Sequence, residues 1–167
     1  KLLKKENIRI IEDELKGKNK KKYGGVLNIT NWELVGDIFC WLNSTGMRLG
    51  DAKVIRVSDM NFDRKTQLIS WTQSKTKKSV SVPLNDISGY IFTKYSKGKS
   101  LEQHLFPIVS QQKFNKQLKN LLKDLRFNRM VSKPMLRGSK VINDTPQPLH
   151  HMISSHSGRR GFIKNSI

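Results

Sequence analysis

A single cysteine, Cys40, stands in the whole sequence, so no disulfide can form within the chain and a reducing compartment is the implied setting. Acidic residues are also scarce, 13 Asp plus Glu against 32 Lys plus Arg. They are too scattered for a two-metal nuclease, which needs several carboxylates brought together. His104, His150, His151 and His156 show no zinc-ligand spacing with one another or with Cys40, so no metal site is expected. No Walker-type glycine loop precedes a Lys-Ser or Lys-Thr pair, which argues against nucleotide hydrolysis. Long apolar runs are missing too, and the first residues are charged, so nothing reads as a membrane span or a secretory leader.

What the chain has instead is positive charge. The formal net charge is +19 over 167 residues, spread along the whole length, and its natural partner is a polyanion. An anionic membrane is the rival, but no strongly amphipathic basic helix stands out. Nucleic acid is the better match. The length suits one domain, taken as 1–167, with enough chain to bury a real core.

In chain order, Leu2 to Leu15 shows a loose helical pattern, and Lys16 to Gly25 is a Lys/Gly run expected to be a solvated linker. Thr30 and Glu33 have capping-box spacing ahead of Val35, Ile38, Phe39 and Leu42, which predict a buried helix ended by Asn43, Ser44 and Gly46. A second helix is expected from about Met47 to Arg56, with Leu49, Ala52, Val54 and Ile55 for packing. The period then switches. Gln67 to Gln73 and Ser79 to Pro83 alternate as strands, with a cationic tip from Ser74 to Lys78, and a turn at Asp63 to Lys65 is expected to add an earlier strand. Asn85 or Asp86 can cap a helix stopping at Lys97-Gly98-Lys99. Ser110 can cap a longer one with Phe114, Leu118, Leu121, Leu122 and Leu125 as its apolar stripe. Val131, Leu136, Val141 and Ile142 suggest a short ribbon, and a last helix begins near Ser155. The fold expected is mainly α with a small antiparallel β-sheet.

Four side chains at element edges carry chemistry. Arg48 lies near a helix N-terminus, where anions are favoured, and Asp51 follows three residues later. Arg is suited to bidentate phosphate recognition, and two of them, Arg48 and Arg159, can hold both non-bridging oxygens of a phosphodiester. A lysine on a hairpin, Lys75, can protonate a leaving oxygen. His156 can donate a hydrogen bond or pass a proton.

Thr45-Gly46-Met47-Arg48-Leu49-Gly50-Asp51, Gln73-Ser74-Lys75-Thr76 followed by Val80-Ser81-Val82-Pro83-Leu84, Leu105-Phe106-Pro107, and Ser155-His156-Ser157-Gly158-Arg159-Arg160 follow one another in the order seen in the tyrosine recombinases. From about Ile10 onward the chain resembles the catalytic domain of that phage-integrase family. The resemblance implies that Arg48 and Arg159 clamp the scissile phosphate and that Lys75 is general acid, with Lys77 the weaker candidate for that role. His156 assists the proton transfer, and Asp51 braces the arginines. Lys77, Lys78 and Arg160 would contact the DNA backbone. It implies a 3′-phosphotyrosyl intermediate with no cofactor and no metal. The partner is double-stranded DNA at recombination sites, held by a homotetramer of the full-length protein, with no membrane involved, and the setting is the bacterial cytoplasm. The second His or Trp of the family and its nucleophilic tyrosine are expected beyond His-x-x-Arg, and its other DNA-binding domains before this sequence. The chain is accordingly read as a fragment, inactive in cleavage. Gly161 stands where the family usually has Thr or Ser, and a looser helix is expected there. The alternatives are a non-catalytic DNA-binding module of the same fold, or an RNA-associated protein, which would display exposed aromatics.

Overall fold

The computed structural model describes residues 29–59, 68–107, 110–132, 135–137, 140–142 and 145–165. The helical pattern of Leu2 to Leu15, the Lys/Gly run and the turn at Asp63 to Lys65 lie outside them.

Helix α1, Ile29–Thr45, is the centre of the molecule. Leu34, Val35, Ile38, Trp41 and Leu42 recur at helical spacing and are all buried, the last two with no exposed surface. Helices α3 (Asp86–Ser96), α4 (Gln111–Asp124) and α6 (Ser155–Asn165) pack around it. Phe106, from the loop after α3, meets Trp41 edge-on at 5.5 Å and Tyr95 at 5.3 Å. From α4, Phe114, Leu118, Leu121 and Leu122 close the other side.

The helix already includes Ile29 and Thr30, so it starts ahead of the N-cap position expected at Thr30. Glu33 pairs with Lys94 of α3, which also reaches Asp37 at 2.7 Å. Burial alone would lower the pKa of Lys94, but its hydrogen bonds and charge interactions with Asp37 and Glu33 outweigh that and raise it. The caps expected further on are present. Asn85 Oδ1 accepts from the Ser88 amide at 2.9 Å, and Ser110 Oγ from the Lys113 amide at 3.2 Å.

Gly46 ends α1 at φ +66°, its amide donating to Leu42 O at 3.1 Å. The next helix, α2, is Leu49–Val54, shorter than the Met47 to Arg56 span expected. Ile55 leaves it because the chain there joins an extended segment: Leu105 N–H donates to Ile55 O at 2.9 Å, and Arg56 bridges His104. Val54 is consequently 54% exposed rather than packed, while Leu49, Ala52 and Ile55 are buried as expected.

Strands β1 (Leu68–Thr72) and β2 (Ser79–Pro83) form an antiparallel hairpin in which Ile69 faces Val82 and Trp71 faces Val80. Ile69, Trp71 and Val82 enter the core, and Ser70 and Ser81 share a hydrogen bond of 2.7 Å on the other face. After α4 the chain makes two small antiparallel pairs. Strand β3 (Met130–Val131) pairs with β6 (Gln147–Pro148), and β4 (Met135–Arg137) with β5 (Lys140–Ile142). A short helix α5, Leu149–Met152, leads into α6. The architecture is mainly α with small antiparallel β elements, as the residue patterns predicted.

Cys40 packs beside this core, and burial, helped by the charge of Asp37, pushes its thiol up to about 11. Thiolate is the reactive form, so at pH 8 only about one molecule in a thousand carries it. Alkylation by iodoacetamide is expected to be at least about a hundredfold slower in the native chain than in urea, read by mass spectrometry.

Candidate active site

Three stretches far apart in sequence meet at one cleft of about 300 Å³: the Met47 to Asp51 segment, the turn of the β1–β2 hairpin, and the first turn of α6. Arg48, Asp51, Lys75, His156 and Arg159 all line it. Gln111, the first residue of α4, and Ser155, the first of α6, line it as well, so the first residues of two helices border the same hollow.

Arg48 sits at the N-cap of α2 with extended backbone, φ −77° and ψ 148°. It makes no ion pair with Asp51 at helical spacing; its Nη1 donates to Gln73 Oε1 at 2.7 Å. Arg159 Nη1 donates to the Gly46 carbonyl at 2.7 Å. Each guanidinium is thus held by a neutral oxygen, which fixes direction without cancelling charge and leaves the other N–H groups for an anion. Burial and the charge of Arg48 lower the pKa of Arg159, and Asp51 works in the opposite direction. Two cations that disfavour each other gain from any anion placed between them.

Asp51 is 4% exposed. Its Oδ1 accepts from the Ser74 amide at 2.9 Å, tying α2 to the hairpin turn, and its Oδ2 has no hydrogen-bond partner among the described residues. The carboxylate therefore braces the turn by a hydrogen bond and Arg159 by charge. Lys75 follows at the exposed tip. Lys77 and Lys78 are exposed beyond it, and Arg160 is exposed on α6; these three do not line the cleft. Among the described residues no three His, Cys, Asp or Glu side chains gather as a metal site, and no helix is long and apolar enough to cross a membrane.

Lys77 has a backbone role that its charge conceals. It adopts φ 54°, and its amide closes the turn by donating to Gln73 O at 2.9 Å. A lysine in the left-handed region costs about 1 kcal/mol relative to glycine. Lys77→Gly is therefore expected to raise stability by up to about 1 kcal/mol in urea unfolding even as it removes a surface cation.

Arg159 reaches the cleft because α6 approaches α1 closely, and glycines permit that approach. A Cβ at Gly158 would lie 3.1 Å from Leu42 Cβ and 3.4 Å from the Asn43 backbone nitrogen. One at Gly161 would lie 2.2 Å from Asn43 Oδ1. The missing side chain at Gly161 leaves the room that the Asn43 side chain takes at the helix contact. Gln73, Gln111 and Ser155 are the cleft neighbours that sequence reasoning passed over. The first lies in the lysine motif and the other two open helices, so only their position beside a cap or a motif hinted at them.

No curated protein matches the chain. The family model described as "Phage integrase family" matches residues 5–162, nearly its whole length. On that match the chain, whose Arg48, Lys75, His156 and Arg159 line one cleft, belongs to the phage integrase family, the tyrosine recombinases, whose members carry out site-specific recombination of DNA.

Proposed function

We propose that this chain supplies the phosphate-handling machinery for breaking and rejoining DNA through a 3′-phosphotyrosyl intermediate, in the integration or excision of a mobile element. The observation that supports this is the shared cleft of Arg48, Lys75, His156 and Arg159. The two guanidiniums grip the non-bridging oxygens and neutralise the charge that grows on them as a tyrosine oxygen attacks phosphorus. Lys75 Nζ gives its proton to the departing 5′ oxygen, and His156 donates a hydrogen bond to the phosphate or relays a proton. The phosphotyrosyl bond conserves the energy of the broken strand, so rejoining needs no high-energy cofactor. A tetramer spanning two DNA sites in the bacterial cytoplasm is the working form that family membership suggests.

The described tyrosines do not serve as nucleophile. Tyr90 and Tyr95 sit on α3 and neither lines the cleft. The Tyr95 hydroxyl donates to Asp37 Oδ2 at 2.9 Å, and burial together with Asp37 raises its pKa. Neither Tyr90 nor Tyr95 is therefore expected to become attached to DNA. A nicked suicide duplex with peptide mapping tests this; a DNA adduct on either residue would overturn the assignment.

Binding itself should be dominated by phosphate contacts and fall steeply with salt. Replacing Lys77, Lys78 and Arg160 together by alanine is expected to reduce the log–log salt slope by roughly 3, with little change in preference between sequences. Fluorescence anisotropy across a salt series reads both. An RNA-stacking function is disfavoured by the tryptophans: Trp41 and Trp71 are buried, and Trp32 is half-buried against the core.

A further inference from the structure

Gln73 is only 9% exposed, and every polar group with a described bond in it serves the turn or the clamp. Its amide donates to Lys78 O and its carbonyl accepts from the Lys77 amide, both at 2.9 Å, so this one residue closes the turn at both ends. Its side-chain Oε1 accepts two hydrogen bonds, from Thr76 Oγ1 at 2.8 Å inside the turn and from Arg48 Nη1 at 2.7 Å outside it. The next residue, Ser74, is tied to Asp51, and Lys75 follows. We propose that Gln73 is a positioning residue that couples the Arg48 guanidinium to the turn bearing Lys75, setting the arginine and the lysine as one unit.

The chemistry of the amide explains why glutamine suits this place. A carboxylate would hold both donors equally well but would neutralise Arg48 and compete with an incoming phosphate. An amide oxygen orients the guanidinium through one N–H and leaves its charge intact. The turn also needs an outside hold, since it carries Lys77 at φ 54°, a conformation that persists only where neighbouring bonds impose it. Arg48, twenty-five positions away, provides that hold.

The significance for catalysis rests on the function proposed above, but the test does not. Amide hydrogen exchange is measured on the free chain, without any anion, with the Leu118 amide of α4 as an internal reference for folding. Arg48→Ala is expected to speed exchange of the Lys77 amide by roughly fivefold or more relative to that reference, although residue 48 lies outside the turn. Gln73→Ala should do the same, while Gln73→Glu, which keeps both hydrogen bonds, should leave the turn as protected as in the parent chain. In a second measurement, duplex binding by anisotropy, Gln73→Glu should weaken affinity roughly fivefold or more through the charge it adds beside Arg48. Lys77 exchange within twofold of the parent in Arg48→Ala, or a turn loosened as much by Gln73→Glu as by Gln73→Ala, would overturn the coupling. If Arg48→Ala loosens the turn yet neither it nor Arg159→Ala weakens duplex binding, the coupling stands and the phosphate assignment falls.

Discussion

Gly46→Ala is expected to lower the midpoint of thermal unfolding by roughly 5–15 °C, a large effect for one methyl group. Two costs add. The backbone at Gly46 has φ +66°, where an L side chain costs about 1–2 kcal/mol. The added Cβ would also stand 2.4 Å from Phe162 Cδ1, 2.9 Å from Cε1 and 3.0 Å from Cγ. It would meet the side of a ring rather than the tip of a flexible chain, and that ring packs against the core, so relief requires α6 to shift. Overpacking of this kind costs about 1–3 kcal/mol. The shift would carry function with it, because the Gly46 carbonyl is the acceptor that holds Arg159. Gly89→Ala provides the contrast. Gly89 lies within α3 with nothing within 4 Å of its would-be Cβ, and alanine there should stabilise by about 0.5–1 kcal/mol. Circular dichroism melts of the two variants check both signs.

Which parts of this molecule are readable from sequence follows from how local their causes are. Helices α3 and α4 were legible because their signals sit within a few residues: Asn85 and Ser110 are caps, and Phe114, Leu118, Leu121 and Leu122 keep one helical face. The hairpin was legible for the same reason, since alternation from Leu68 to Thr72 and from Ser79 to Pro83 specifies which side chains turn inward. The start of α1 was placed too late, since Ile29 and Thr30 are already helical, and the partner of Glu33 is Lys94 from another helix. The end of α2 failed because Ile55 joins a segment fifty positions later through the Leu105 amide, which no local pattern announces. The cleft divides in the same way. Arg48, Lys75, His156 and Arg159 stood out by residue type and motif, and they do line one hollow. Gln73 did not, because its meaning lies in a 2.7 Å contact across the fold rather than in any property of glutamine. What fills the space beside Gly161 was hidden for a related reason: it is Asn43, from another helix.

Arg159→Lys is the more telling substitution in the cleft, since it keeps a cation and should still fail. Arg159→Ala is expected to reduce strand cleavage by at least about a thousandfold in a polypeptide that supplies both this cleft and a tyrosine nucleophile, the scale on which removal of transition-state charge stabilisation is felt. In the chain alone it should weaken duplex binding far less, because many backbone contacts share that term. Lysine restores the charge but loses the planar fork that reaches the Gly46 carbonyl and, in the function proposed above, a phosphate together. It also inherits an unfavourable site. Burial and the charge of Arg48 lower the pKa of Arg159, and the same surroundings must act on a lysine ammonium, whose ordinary pKa of about 10.4 leaves far less margin. A group whose pKa is lowered in the fold is charged only below that value, so the lysine variant should lose its contribution as pH rises. Cleavage by the lysine variant is thus expected to fall toward alkaline pH relative to the parent, in which the guanidinium keeps its proton. A ratio of the two rates that stays constant from pH 6 to 9 would mean that the cation at position 159 does not bear on the reacting phosphate. A ratio that declines with pH, together with a loss of at least about tenfold even at pH 6, is the result that two guanidiniums sharing one anion require.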